Sequence, residues 1–448
     1  LTGIAEVGAP LKSTPVPQLY VVQRGDTLSS ISLRFDCDVK DLSRANGIAD
    51  PNSLRVGQEL KIPSSQVDIG PSNRLLPNSE FVNSPAYLDF DVASFCAQQG
   101  GYLSQYREKV NGTTLTGPEI VELTVMHYSV GPRMLLAMLE YKTGWVTNPN
   151  PPADTLTYPM GYKAGGWQML YHQLAWAANE LNKGYYNWRG RGVRPISWQG
   201  GSATRYDPSL NAATAAVQYY LSQKSNRDRW ETAVGTGPNS FLAAYRSLFG
   251  DPAQYAIEPL VPANTPNSNL VLPWAMGEMW FLTSGPHGAW GDGSAWSALD
   301  FVPDEGPLGC RAASSMATAA AAGVVIYSHD GIVMIDLDED GHEETGWVLF
   351  YLHVAKKGRV AAGTWVKPGD AIGHPSCEGG QSNASHLHIA RKYNGEWIAA
   401  DGPLPLILSG WVAHLDGKAY DGSLSRDGEV RTACECWEAE YNGLLADR

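Results

Sequence analysis

Residues 382–397 read SNASHLHIARKYNGEW, and the reading of this stretch decides the C-terminal half of the chain. Ser382, Asn383, Ala384 and Ser385 are small and polar and predict a loop. The segment after them reads as a strand, whose side chains alternate between two faces. His386 and His388 therefore share one face, and Leu387 and Ile389 point to the packed side. Two imidazoles on one face could serve one metal bond and one proton transfer from a single strand. A lone His-x-His recurs by chance, so its meaning depends on further ligands upstream in strand contexts. They are present. His287 follows a Gly-Pro turn in SGPHG (284–288), and Asp300 lies in the apolar stretch SALDFVP (297–303). A carboxylate pointing from such a strand needs a partner, and a metal ion is an economical one. His353 closes LFYLH (349–353).

His287, Asp300 and His388 make a two-histidine, one-carboxylate set, the ligand chemistry of a catalytic zinc with open positions. His353 and His386 stand beside it, free to take a proton or hold an oxyanion. The surrounding stretches AGVVIYS (322–328), GIVMIDLD (331–338) and WVLFYLHVA (347–355) read as strands joined by turns, predicting an antiparallel, β-rich domain. Residues 268 to about 400 resemble the lysostaphin-type zinc endopeptidases that cut peptidoglycan peptides, in particular the staphylolysin and beta-lytic branch. GPHG, an Asp 13 residues after the His, YLH, VKPGDAIG and HLH carry the resemblance. It implies that His287, Asp300 and His388 bind Zn2+ and that His353 and His386 are catalytic. The commoner branch uses a tighter His-x-x-x-Asp, but here Trp296 stands at that histidine's place, so the longer spacing applies.

At 448 residues the chain is long enough for two to four domains. A formal charge of −13 argues against a nucleic-acid partner, which would want a basic surface. No apolar run reaches the length of a membrane span; the longest, residues 317–327, is mostly alanine. The chain begins at Leu1, which reads as the product of processing: a secreted, extracellular protein of the bacterial cell wall, expected to be a monomer. Cys37, Cys96, Cys310, Cys377, Cys434 and Cys436 show no Cys-x-x-Cys and predict disulfides. Cys434 and Cys436 are so close that at least one is expected to reach back to Cys377 or Cys310.

After a lead-in over residues 1–18, the stretch from Tyr20 to Pro63 reads strand, helix, helix, strand, with Asp26 or Thr27 capping the first helix. GDTLSSIS, ANGI and LRVGQELKIP make residues 19–63 resemble a LysM module. LysM modules bind N-acetylglucosamine-containing glycans, so the resemblance implies a tether to peptidoglycan or chitin. The sugar would lie near Gly25, Asp26, Thr27, Asn52, Ser53 and Leu54.

Residues 64–84 read as a linker, and residues 85–258 as helices at 3.6-residue spacing. The order LLAMLEYKTGW, GGWQML, FLAAYRSLFG resembles the lysozyme-like fold of lytic transglycosylases. In that family a Glu acid sits two residues before the Gly ending the first of these helices; here that position is Lys142, which cannot protonate a glycosidic oxygen. Glu140, two residues earlier, points about 200° away around the helix. A glycan-holding or spacing role is therefore favoured for this region over a glycosidase using Glu140, Glu119 or Glu122. Residues 259–269 read as a second linker before the peptidase-like domain, 270–448. Within it Asp336, Asp338, Asp340 and Gly341 make the first half of a calcium loop, a candidate Ca2+ site, but Trp347 occupies the twelfth position where a bidentate Glu belongs.

The whole predicts a multidomain α+β chain: a small β-α-α-β LysM domain, a mainly α lysozyme-like domain and an antiparallel β-rich metallopeptidase domain. The expected activity is zinc-dependent cleavage of peptidoglycan peptides. The alternatives are glycan cleavage through the helical domain and wall binding without catalysis.

Overall fold

The structure, a computed structural model, describes residues 18–23, 25–35, 37–50, 53–63, 68–199 and 201–447. The chain divides into two compact units, one of residues 1–72 with 189–209, the other of 73–188 with 210–448.

In the first unit the strands Gln18–Val21 and Glu59–Ile62 pair antiparallel around the helices Leu28–Phe35 and Val39–Asn46. Thr27 caps the first helix by accepting from the Ser30 amide at 3.0 Å, and Asp38 caps the second from Lys40 at 2.7 Å. The second helix ends at Gly47, whose φ of 64° is the left-handed conformation that glycine adopts without penalty. Leu28, Ile31, Phe35, Leu42 and Leu60 fill the core. A hairpin of Ile196–Ser197 and Ala203–Arg205 joins this unit, and Asp68–Ile69 pairs parallel with its second strand.

The second unit begins inside the stretch that the sequence presents as a linker. Leu75, Leu76, Phe81 and Val82 are buried, and Glu80, fully buried, takes two hydrogen bonds from the Arg133 guanidinium. Apolar residues without a period mark a packed irregular segment as readily as a tether, which is why the sequence misleads here. The main helices are Gly117–Tyr128, Pro132–Thr143, Met169–Tyr186, Ala212–Ser222 and Phe241–Phe249. Pro118 and Pro132 lie in first turns, and Thr116 with Glu119 forms a reciprocal capping box.

The C-terminal part of this unit is built on an antiparallel sheet. Along it lie, in order, Trp365–Val366, Gly323–His329, Ile332–Asp336, Trp347–Leu352, Leu387–Tyr393, Trp296–Pro303, Met279–Gly288 and Gly443–Leu445. A smaller four-stranded sheet follows, from Ile407–Leu408 to Glu429–Thr432. Trp274, Trp280, Phe301, Val333, Leu349, Leu387, Ile389 and Trp411 share one core. The helices are joined to the sheet by specific bonds. Ser129 Oγ donates to the Gly395 carbonyl, the Trp397 amide donates to Tyr186 Oη, and Lys392 Nζ donates to the Met126 carbonyl at 3.5 Å.

Cys310 bonds Cys377, and Cys434 bonds Cys436. The expectation that Cys434 or Cys436 reaches back is thus corrected: a bend at Glu435 and Cys436 brings the two Cα atoms to 5.2 Å, and the tertiary partners pair with each other. No helix among the described residues is long and apolar enough to cross a membrane.

Candidate active site

Sheet register assembles the site. His388 stands opposite Asp300 on one neighbouring strand and opposite Leu352 on the other, so His353 begins the loop directly beyond it. The strand carrying His287 departs from regular register between Leu282 and Gly288. Such bulges re-aim side chains, and this one turns His287 onto the same spot. His287 Nε2 and His388 Nδ1 are 3.2 Å apart and lie 3.3 and 3.1 Å from Asp300 Oδ1. All three residues are buried, and one ligand atom from each lies within 4.8 Å of the others. His386 Nε2 is 3.6 Å from the same Asp300 oxygen, and the His353 and His386 rings are 4.4 Å apart. All five residues singled out in the sequence therefore meet.

Each imidazole is oriented by a backbone carbonyl. His287 Nδ1 lies 2.9 Å from the Gly285 oxygen and His388 Nε2 3.0 Å from that of Ala289. His353 Nδ1 lies 3.0 Å from the Glu378 oxygen and His386 Nδ1 2.8 Å from that of Ala384. A carbonyl only accepts, so the nitrogen facing it carries the proton and the opposite nitrogen presents a lone pair. Four lone pairs and a carboxylate then converge, the orientation that backbone acceptors behind the ring impose on metal-binding histidines.

Burial opposes ionisation of Asp300, but the neighbouring imidazoles, His287 first, outweigh it and hold the carboxyl well below its usual range; Asp300 in turn raises His287 in spite of its burial. Burial lowers His388, and burial followed by the neighbouring His386 and His388 pushes His353 down to about 3. His353 also has φ of 65°, a left-handed conformation uncommon outside glycine and concentrated at functional sites. Tyr420 stacks on His287 at 4.6 Å. No sequence pattern singles Tyr420 out, because it comes from a loop of the smaller sheet. The residue chemistry suits zinc: borderline nitrogen donors with one carboxylate, oriented before any ion arrives.

Other aromatics divide differently. Tyr351 and Trp347 are buried in cores; Tyr351 Oη accepts from the Ala320 amide. Trp290 stacks on His127 at 4.1 Å, joining the loop after His287 to the helix Gly117–Tyr128. His329 pairs with Asp330, and His374 Nδ1 faces the Ser315 carbonyl.

Of the helical carboxylates, Glu140 accepts from the Val146 and Thr147 amides and the Thr147 hydroxyl, and Glu119 accepts from Thr116. Both are committed to holding backbone. Burial, then Asp91 and Glu119, raise Glu122. In the first unit Asp26 accepts from Tyr20 Oη at 2.5 Å and the Gln23 amide at 2.7 Å, and pairs with Arg34 at 3.4 Å, so its carboxylate shapes the loop from within. A Cβ at Gly25 would meet the Arg189 carbonyl at 3.2 Å. Thr27 and Ser53 are exposed and Leu54 is half-buried; Asn52 lies outside the described residues. Asp336, Asp338 and Asp340 come within 4.8 Å of one another. Asp336 already accepts from the Asp338 and Gly341 amides, and Trp347 donates to the Pro266 carbonyl. The Trp347 side chain, at the position of the glutamate that a calcium loop ends on, offers no oxygen ligand.

Residues 20–63 match the LysM domain family and are a LysM domain; residues 74–264 match the family described as LasA, N-terminal domain. The helical region's match is thus to the LasA N-terminal domain. Over 54 residues the chain is 48% identical to a lipoprotein NlpD/LppB homolog of Pseudomonas aeruginosa, covering 12% of this chain and 18% of that one. Over 61 residues it is 43% identical to the N-acetylmuramoyl-L-alanine amidase XlyA of Bacillus subtilis, covering 14% and 20%. The chain thus spans about a fifth of the length of these curated relatives. Among solved structures it is similar to the M23 metalloprotease pseudoalterin from the deep sea, with 24% identity, TM-score 0.31, 38% of this chain and 96% of that one. It is also similar to the catalytic domain of lysostaphin from Staphylococcus simulans, with 21% identity, TM-score 0.20, 27% and 87%.

Proposed function

We propose that this protein is a zinc-dependent endopeptidase of peptidoglycan, with His287, Asp300 and His388 as metal ligands, His353 and His386 as catalytic residues, and the LysM domain as its tether. The observation that carries the proposal is the meeting of four carbonyl-oriented imidazoles and one buried carboxylate at a single point. Zinc, when bound, supplies Lewis acidity and brings the pKa of a water molecule from 15.7 to about 7. The chain's own part is orientation and proton movement. His287 Nε2, His388 Nδ1 and an Asp300 oxygen would hold the ion, the two rings being already fixed by the Gly285 and Ala289 carbonyls. His386 Nε2 lies 3.6 Å from Asp300 and the His353 ring 4.4 Å from that of His386, so one of the two would accept the attacking water's proton and the other would steady the developing oxyanion. The LysM domain raises the local concentration of the peptidase at an insoluble wall. On this reading the protein works outside the cell, on peptidoglycan.

Mass spectrometry of digested peptidoglycan tests the reading. New amino termini are expected, and His388→Ala abolishes them while binding to the wall persists. New anhydro or reducing sugars, or undiminished cleavage by the variant, would remove this site from the reaction.

A further inference from the structure

We infer that the Cys310–Cys377 disulfide is a positioning device that holds His353 and His386, the two proposed catalytic histidines, against each other. The inference rests on the reading just given and adds a part to it.

The bridge lies at the crossing of two short segments, each bound to a histidine. On one side, Cys377 is flanked by Ser376 and Glu378. The Ser376 amide and hydroxyl both donate to the His353 carbonyl, at 2.6 and 2.9 Å, and the Glu378 carbonyl faces His353 Nδ1 at 3.0 Å. The two neighbours of Cys377 thus fix both the backbone and the ring of His353. Ser376 also forms a bridge with His386, accepting its amide at 3.3 Å. On the other side, Cys310 is flanked by Gly309 and Arg311. Their carbonyls accept the amide and the hydroxyl of Ser385, both at 2.6 Å, and Ser385 immediately precedes His386.

These contacts are needed because His353 and His386 stand where regular structure stops. His353 follows the end of Trp347–Leu352, and His386 precedes Leu387–Tyr393. Ladder hydrogen bonds hold His388, but neither of the other two sits within a strand. The segments that hold them instead, 309–311 and 376–378, are irregular. A covalent tie between these segments, closing a loop 67 residues apart in sequence, sets one distance that neither segment sets alone. The metal-binding residues have no such dependence: His388 and Asp300 are cross-strand partners.

Cys310 is exposed and Cys377 half-buried, so the bridge can be opened in the folded protein. A phosphine supplies two electrons, leaves two thiols and becomes the phosphine oxide with oxygen from water. The full chain is compared intact, after phosphine treatment, and with Cys310→Ala and Cys377→Ala together, while Cys434→Ala with Cys436→Ala serves as control. With the bridge absent, kcat on peptidoglycan is expected to fall about 10- to 100-fold, the cost of displacing catalytic groups by about 1 Å. KM and bound zinc per chain stay within about twofold. Imidazole 15N resonances of His353 and His386 should shift or broaden, while those of His342 and His414 hold still; the control changes none of these. Unchanged kcat and unchanged resonances without the bridge would overturn the inference. So would a fall in kcat matched by loss of zinc, which would make the bridge a support for the whole site. If the oxidised wild-type protein cuts no peptide, the proposed function fails instead, and the resonances still decide whether the bridge positions the two rings.

Discussion

Acidification should loosen the packing of helix Gly117–Tyr128 against the loop after His287, and His127 sets the size of the effect. Its ring is 3% exposed, stacked on Trp290 at 4.1 Å, with Nδ1 3.2 Å from Tyr171 Oη. Burial, and after it the Lys392 ammonium, push its pKa from 6.5 down to about 3. A depressed histidine is neutral in the fold and charged in the unfolded chain below pH 6.5. Its contribution to stability is therefore complete above that pH and is lost as the pH falls toward 3. Each tenfold difference in proton affinity between the folded and unfolded chain is worth about 1.4 kcal/mol, so integration between pH 7 and pH 4.5 gives a loss of roughly 2–3 kcal/mol. Many carboxylates titrate over the same range, so the measurement is a difference. Urea unfolding is followed at pH 7 and pH 4.5 for the wild type and for His127→Phe, which keeps a flat ring against Trp290 and cannot be charged. The variant loses the Tyr171 bond at both pH values, at a cost of about 1 kcal/mol, but its stability should fall less on acidification, by roughly the 2–3 kcal/mol assigned to His127. Parallel losses in the two proteins would refute the assignment of acid sensitivity to this ring.

Glu80→Ala strands the buried Arg133 guanidinium and should cost about 3–5 kcal/mol in urea unfolding, whereas a change under 1 kcal/mol would mean that the pair is solvated. A chelator should stop peptide release and zinc should restore it in the wild type. In Asp300→Ala zinc should restore neither activity nor stoichiometric binding, as measured by plasma emission. Removing residues 1–63 should reduce retention on purified peptidoglycan at least about tenfold and leave turnover of a soluble peptide within about twofold; equal losses would argue against a tether.

The five site residues were legible because each sits in a short, strongly patterned stretch: a Gly-Pro turn before His287, apolar strands around Asp300 and before His353, and alternation at His386 and His388. The LysM domain was legible for a similar reason, since its strands, caps and αL glycine at position 47 follow local rules. Residues 73–84, within the stretch taken for a linker, were misread because burial without a period has no local signature, and Glu80 meets Arg133 only through the fold. The Cys434–Cys436 pairing was missed because proximity in sequence says little about the geometry the backbone adopts there.

By itself, then, the amino-acid sequence determined which groups are available for chemistry and which elements carry them, because alternation, capping and turn propensity act over a few residues. Only the tertiary structure decided that His388 faces Asp300 across a ladder, that a bulge turns His287 onto the same spot, and that the distant carbonyls of Ala289 and Glu378 choose which nitrogen of His388 and of His353 is free. At the site, strand register and the carbonyls behind the rings join residues up to 99 positions apart, and a preference that acts over such a span leaves no periodic trace in the chain.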